Sequence, residues 1–161
     1  MKKEPIEIIL RKQFKFLESD YGFSLSSSGG SKELAYYNLI YLNHTTGVDI
    51  TFELRESYIS IMLYKLVNGK LIENPYEITK KTIFHGISLD SVVFCRNPKA
   101  VMKAYYNYDY SDKKEGIPLY VAAYANNLKE YASDILSGDF RIFAKAAKIE
   151  RKVLKGMSIW G

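Results

Sequence analysis

The clearest pattern in the chain is an alternation of apolar and polar positions along residues 48–55. The apolar positions are Val48, Ile50, Phe52 and Leu54. The polar positions between them are Asp49, Thr51, Glu53 and Arg55. A period of two predicts a half-buried antiparallel strand whose apolar side packs on the core. A return strand is predicted over residues 58–66, and Asn68-Gly69 after it signals a tight turn. Together with two earlier strand candidates, this predicts a three- to four-stranded antiparallel meander over residues 23–72.

The remaining segments of the meander carry weaker patterns. Residues 23–28 are a short strand candidate, whereas the serine- and glycine-rich residues 26–31 are too polar for a core and predict a flexible turn. The second candidate strand covers residues 34–42, which are rich in tyrosine and aliphatic side chains. Leu71-Ile72, after the Asn68-Gly69 turn, is a candidate for a short extension of the meander.

Helical periodicity lies on both sides of the meander. Apolar residues at spacings of three and four over residues 6–21 predict one amphipathic N-terminal helix that ends at Gly22. Ser88 is expected to cap a short helix. A long helix is predicted from Pro118 to about Leu136, and a last helix over residues 139–155.

The last helix is expected to turn an apolar stripe toward the core and a basic side toward solvent. The predicted inward residues are Phe140, Phe143, Ala144, Ala147 and Leu154. The predicted outer residues are Arg141, Lys145, Lys148, Arg151, Lys152 and Lys155. Since no linker or internal repeat divides the chain, residues 1–161 are interpreted as a single α+β domain. It consists of an N-terminal helix, the meander, and C-terminal helices packed on one sheet face.

Charge is unevenly distributed along the chain. Residues 1–15 carry five basic and two acidic groups, residues 139–161 carry six and two, and the stretch between them carries twelve and fourteen. The pI near 9.1 therefore comes from the two ends. Such a basic last helix is typical of a solvated helix face. It also leaves open an alternative function, a nucleic-acid-binding module that uses this helix.

The candidate chemistry is sparse. His44 and His85 each stand alone, without further ligand residues at the spacing of a metal site. The single Cys95 excludes a disulfide framework within the chain and any multi-cysteine metal site. Asp49 and Glu53 lie about 13 Å apart on one strand face, too far for a tight acid–base pair. We therefore expect a protein without enzyme activity, cofactor or metal, and only the isolated histidine and cysteine residues support the alternative of a small enzyme.

The expected compartment follows from the cysteine count and from hydropathy. One cysteine fits a reducing environment. The first apolar run, Ile8 to Leu10, is too short for a secretory signal. Since no stretch approaches the ~18 uncharged apolar residues of a membrane helix, we expect a cytoplasmic protein with no membrane partner.

Tyrosine is unusually frequent, with fourteen residues in the chain of 161. Three roles remain open for these side chains: packing at half-buried sheet positions, anchoring a protein interface, and stacking on bases. The tyrosines concentrate on the predicted strands and in a loop-like segment around residue 108.

Three stretches of the chain together resemble a known group of proteins. They are Phe16-Leu17 with Tyr21-Gly22-Phe23, the strand pair over residues 48–61, and the run from Tyr131 to Phe140. In this order they resemble small bacterial immunity-type proteins associated with polymorphic or contact-dependent growth inhibition toxins. The resemblance covers about two thirds of the chain, leaves residues 65–117 unmatched, and rests on structural motifs with no catalytic residue to carry over.

The resemblance implies a non-enzymatic protein that binds and neutralises a cognate toxin protein. Such an inhibitor uses complementary charge for fast association, and the slightly acidic middle of this chain suits a basic partner. The expected partner-binding residues are Asp49, Thr51 and Glu53 on the polar strand face, and Tyr106, Tyr108, Asp109, Tyr110 and Asp112 in the tyrosine-rich loop.

Overall fold

The computed structural model describes residues 5–31, 33, 35–55, 58–100 and 116–156. Its centre is a five-stranded antiparallel sheet whose strands lie in the order of the sequence. The strands are β1 Ser24–Ser31, β2 Tyr36–Leu42, β3 Thr46–Glu53, β4 Tyr58–Lys65 and β5 Gly86–Ser88. The helices are α1 Ile6–Gln13, α2 Phe16–Tyr21, α3 Leu89–Arg96, α4 Gly116–Tyr131, α5 Ser133–Leu136 and α6 Phe143–Leu154. The α+β class and the antiparallel meander are confirmed, with one strand more than predicted.

One face of the sheet packs on the helices, and we call it the inner face. Its central residues are all buried: Leu39, Tyr41, Val48, Ile50, Phe52, Ile59, Ile61 and Leu63. They form one core cluster with helical side chains such as Leu10 of α1, Val92 of α3 and Leu128 of α4. Burial of this apolar surface is the main favourable term in folding. The Tyr120 hydroxyl of α4 also accepts a hydrogen bond of 3.3 Å from the Ile59 amide.

The predicted N-terminal helix is divided into two. Phe14, with φ −100° and ψ 10°, ends α1, and α2 begins two residues later. Phe14, Phe16 and Leu17 are all buried. Since residues two apart point to different sides of a continuous helix, a turn between α1 and α2 is needed to bury all three. Gly22 ends α2 with φ +70°, as predicted for a left-handed cap.

The predicted long helix is also interrupted, at Ala132. The guanidinium of Arg96 donates a hydrogen bond to the Tyr131 carbonyl and two more, of 2.9 and 2.6 Å, to the carboxylate of Asp134. These contacts draw the Tyr131 carbonyl toward Arg96, and Ala132 takes φ −127°. Within the described residues, none of the helices is both long and apolar enough to cross a bilayer.

Two strands differ from the prediction. Ser26 to Ser31 belong to β1 and are not a flexible turn, because an edge strand that pairs on one side with β2 does not require apolar side chains. β5 was not predicted, and Leu71-Ile72 does not extend the sheet. β5 pairs Gly86 with Tyr64, and a Cβ at Gly86 would collide with the Tyr64 ring. The absence of a side chain therefore lets this short strand approach β4.

Two local predictions are confirmed at the residues that signalled them. Asn68 and Gly69 have φ +51° and +76°, as the two central residues of a type I′ turn require, and Val67 pairs with Lys70 across them. The Ser88 hydroxyl accepts a hydrogen bond of 3.2 Å from the Ser91 amide and caps α3. At both places, the preferences of a few neighbouring residues were sufficient to predict the local structure.

The orientation of the last helix differs from the prediction. α6 begins at Phe143, and its buried residues are Ala146 and Glu150. Ala144 and Leu154, predicted to face the core, are exposed. Phe140, Phe143 and Ala147 are half-buried, and so are Arg151 and Lys152 of the predicted outer side. A glutamate therefore occupies the centre of the inward side of α6, which the apolar stripe could not indicate.

Asn43, between β2 and β3, connects the sheet to two helix ends. Its side-chain oxygen accepts hydrogen bonds from the amides of Thr45 and Thr46, at 3.0 and 2.8 Å. Its side-chain nitrogen donates to the carbonyls of Tyr21 and Leu136, at 3.3 and 3.4 Å. The end of α2, the end of α5 and the β2–β3 connection therefore share one amide group.

Replacing Asn43 with alanine leaves half-buried donors and acceptors of three segments without partners. We expect Asn43→Ala to lower the free energy of unfolding by about 2–3 kcal/mol. Urea unfolding followed by circular dichroism measures this difference. The control is Asn126→Ala at an exposed position of α4, with an expected change within about 0.5 kcal/mol. Equal stability of the two variants would contradict the connecting role of Asn43.

Candidate functional site

The second face of the sheet, which we call the outer face, carries the polar positions of the alternating strands. Its central residues are Tyr36, Asn38 and Ile40 of β2, Asp49, Thr51 and Glu53 of β3, and Tyr58, Ser60 and Met62 of β4. Eight of these nine residues are half-buried and Tyr58 is exposed. The residues between them are in the core, except Tyr37, which is half-buried and packs against it. The set contains two carboxylates and no cation. It is therefore an acidic surface with tyrosines at one end.

A hydrogen-bonded cluster of three side chains lies in the middle of the outer face. The Asn38 amide nitrogen is 2.5 Å from Asp49 Oδ1 and 3.0 Å from Thr51 Oγ1. It also lies 3.2 Å from the Ile50 carbonyl. The Thr51 hydroxyl is 3.5 Å from the same Asp49 oxygen. Since Asn38 and Thr51 are directly opposite in the β2–β3 register, the sheet itself fixes this arrangement.

The surroundings of Asp49 affect its acidity. Burial raises the pKa of the Asp49 carboxyl above its ordinary value, the hydrogen bond from Asn38 opposes this shift, and the nearby Glu73 adds to it. On the same face, burial and the charge of Asp49 raise the pKa of Tyr64 to about 12. Asp49 is thus a carboxylate that has lost part of its hydration and gains from a nearby cation.

Among the partner-binding residues expected from the sequence, those on β3 share one face as predicted. Asp49 and Thr51 belong to the hydrogen-bonded cluster. Glu53 lies at the other end of β3, in register with Tyr36 on one side and Tyr58 on the other. Tyr106, Tyr108, Asp109, Tyr110 and Asp112 lie outside the residues that the structure describes, so their predicted role stays a prediction.

Asn38 belongs to the hydrogen-bonded cluster, although it is not among the partner-binding residues expected from the sequence. It lies within a strand of tyrosine and aliphatic residues, where its amide is the one polar group between Tyr37 and Leu42 other than the tyrosine hydroxyls. An isolated amide in such a strand is a signal for a polar contact on one sheet face. The position of its partner could not be predicted, because it depends on the register between β2 and β3.

The isolated histidines and the cysteine are placed as follows. His44 is exposed, and His85 and Cys95 are half-buried. Burial raises the pKa of the Cys95 thiol, which favours the protonated and less reactive form. Among the described residues, no group of three or more histidine, cysteine, aspartate or glutamate side chains is arranged to hold a metal ion.

A second polar cluster holds α6 to the junction of β5 and α3. Glu150 Oε2 accepts hydrogen bonds from the Ser88 amide at 3.3 Å, the Ser88 hydroxyl at 2.8 Å and the Ser91 hydroxyl at 2.5 Å. Asp90 lies between these serines in the sequence. Burial and the negative charge of Glu150 raise the pKa of Asp90 to about 7. We assign these two carboxyl groups a structural role. Hydrogen-bond donors surround Glu150. The carboxyl of Asp90 is shifted toward its neutral form.

Comparisons with protein-family models, with curated proteins and with solved structures found no match to this chain. No function is therefore carried over from a relative.

Asp90 contributes a pH dependence to the stability of the fold. Its pKa is raised from 3.8 to about 7 in the folded chain, so between these values the folded state keeps a proton that the unfolded state releases. Stability therefore falls as the pH rises through this interval, with a slope of up to about 1.4 kcal/mol per pH unit. We expect Asp90→Asn to remove this slope and to stabilise the protein above neutral pH.

Urea unfolding at a series of pH values from about 4 to about 8 measures the effect. Asp20→Asn is the control, since it removes the same charge at an exposed position of α2. The control is expected to keep the slope of the unaltered protein. If Asp90→Asn and Asp20→Asn showed the same pH profile, the raised pKa of Asp90 would be refuted.

Proposed function

We propose that this chain is a non-enzymatic immunity-type inhibitor that binds a cognate toxin protein through the outer face of its sheet. The observation that carries the proposal is the Asn38–Asp49–Thr51 cluster on an acidic sheet face with tyrosines at its end. The resemblance of the sequence to bacterial immunity-type proteins supports the same class of function.

The outer face has the features that protein recognition requires. Asp49 is held in position by Asn38 and Thr51, so it loses little conformational freedom when a partner binds. A basic side chain of the partner would compensate the incomplete hydration of Asp49. Tyr36 and Tyr58, opposite each other across Glu53, offer large amphipathic side chains at low entropic cost.

The charge distribution favours a basic partner. The outer face carries Asp49 and Glu53, and Glu73 is close enough to affect the acidity of Asp49. A negative surface of this kind speeds association with a positively charged protein and determines the orientation in which it docks. A toxin whose active site binds a polyanion would have the required positive charge, and the chain would inhibit it by covering that site.

The alternative, a nucleic-acid-binding module, relies on the basic side of α6. Lys145, Lys148 and Lys155 are exposed there. Arg151, however, packs over the Phe84 ring and donates to the Thr82 carbonyl, and Arg141 is paired with Asp139. Fewer cations are therefore available on this side than the sequence predicted.

The decisive experiment combines capture with a growth assay. The tagged chain is expressed in its native host, washed at moderate and high salt, and the captured protein is identified and produced in a test strain. We expect this protein to arrest growth alone and to be tolerated when the chain is present. Captured nucleic acid that is released by salt would instead support the alternative. A captured protein whose toxicity the chain does not relieve would contradict the proposal.

The outer face is tested with charge reversal. We expect Glu53→Lys to raise the dissociation constant for the captured toxin about tenfold or more, because it replaces an attraction with a repulsion. Surface plasmon resonance measures the constant. Glu130→Lys is the control, because it makes the same change at an exposed position of α4, a helix that packs on the inner face. Equal affinities of both variants would place the interface elsewhere.

A further inference from the structure

A cavity of about 550 Å³ lies between α6, the end of β4 and the segment that leads into β5. Its walls include Lys65, Phe84, His85, Phe140, Phe143 and Arg151. The volume is within the range of sites for small organic molecules, about 300–1,000 Å³. None of the wall residues belongs to the outer face, so the cavity and the proposed toxin interface share no residue.

The walls combine aromatic rings with two cations. Lys65 Nζ lies 5.7 Å from the centre of the Phe140 ring, and the Arg151 guanidinium lies 5.2 Å from the centre of the Phe84 ring. Most of the remaining wall is aliphatic. No aspartate or glutamate is among the described residues that line this cavity. Its interior therefore has a positive charge that the wall itself does not neutralise.

Arg151 has hydrogen-bonding capacity that the described residues leave unused. One of its terminal nitrogens donates to the Thr82 carbonyl at 2.7 Å. Its Nε is buried and has no hydrogen-bond partner among the described residues. A guanidinium has five N–H donors in a planar fork that matches the oxygens of a carboxylate or sulfonate. Arg151 also lines the cavity, so an anionic group there would meet the charge of a guanidinium held by Thr82 and Phe84, together with the ammonium of Lys65.

We propose that this cavity binds a small apolar molecule that carries one anionic group, such as an aromatic or long-chain carboxylate. The apolar body of the ligand packs against Phe84, Phe140 and Phe143, and its anionic group pairs with Arg151 and Lys65. Burial of the body supplies affinity, and the charge pair selects anions over neutral molecules of the same shape.

The test uses anilinonaphthalenesulfonate, a fluorescent probe that combines aromatic rings with one sulfonate. We expect saturable binding to the folded protein, and displacement of the probe by decanoate but not by decanol at equal concentration. Equal displacement by the alcohol would refute the selection of anions. Failure of the probe and of decanoate to bind in calorimetry would refute the site.

Variants locate the binding. We expect Lys65→Met, which keeps the length of the side chain, to weaken probe binding about tenfold. Ala144→Trp, at an exposed wall position of α6, is expected to fill the cavity and abolish binding. The control Lys148→Met removes a charge from the same helix outside the cavity and is expected to leave binding unchanged. Circular dichroism and unfolding midpoints identify any variant that has lost its fold, and unchanged binding by folded Ala144→Trp would overturn the proposal.

Discussion

A buried carboxylate determines where the last helix lies. Glu150 is only 5% exposed, and a carboxylate can remain buried only if donors replace its lost hydration. Ser88 and Ser91 supply these donors, and they lie at the end of β5 and in the first turn of α3. One side chain of α6 therefore joins that helix to a strand and to another helix. Arg151, the next residue along α6, contacts Phe84 and lines the cavity.

The sheet separates two kinds of surface, and β4 contributes to both. Ile59, Ile61 and Leu63 of this strand enter the core, and Ser60 and Met62 face outward beside the Asn38–Asp49–Thr51 cluster. Lys65, where the strand ends, lines the cavity below α6. One strand therefore contributes to both the acidic surface and the basic cavity. Because successive side chains of β4 point to opposite faces of the sheet, the residues of the two sites stay on different sides.

The sequence predicted those features whose cause is local. The alternation of β3, the turn at Asn68-Gly69 and the Ser88 cap each depend on a few neighbouring residues, and the shared face of Asp49, Thr51 and Glu53 follows from the same alternation. The break at Ala132 depends on Arg96, and the orientation of α6 depends on serines of another element. The cavity likewise joins residues as distant as Lys65 and Arg151. Patterns along the chain do not indicate such long-range contacts, so these features could be identified only from the structure.

The order of the strands in the sheet has a consequence for how the chain folds. Every strand pairs with its neighbour in the sequence, so each pairing closes a short loop, apart from residues 66–85 between β4 and β5. The entropy lost in closing a loop increases with its length, and folding is fast where contacts are near in sequence. The contacts of α1 with α4 and of α3 with α6 close much longer loops. We expect the meander to assemble first and the two ends of the chain to dock on it afterwards.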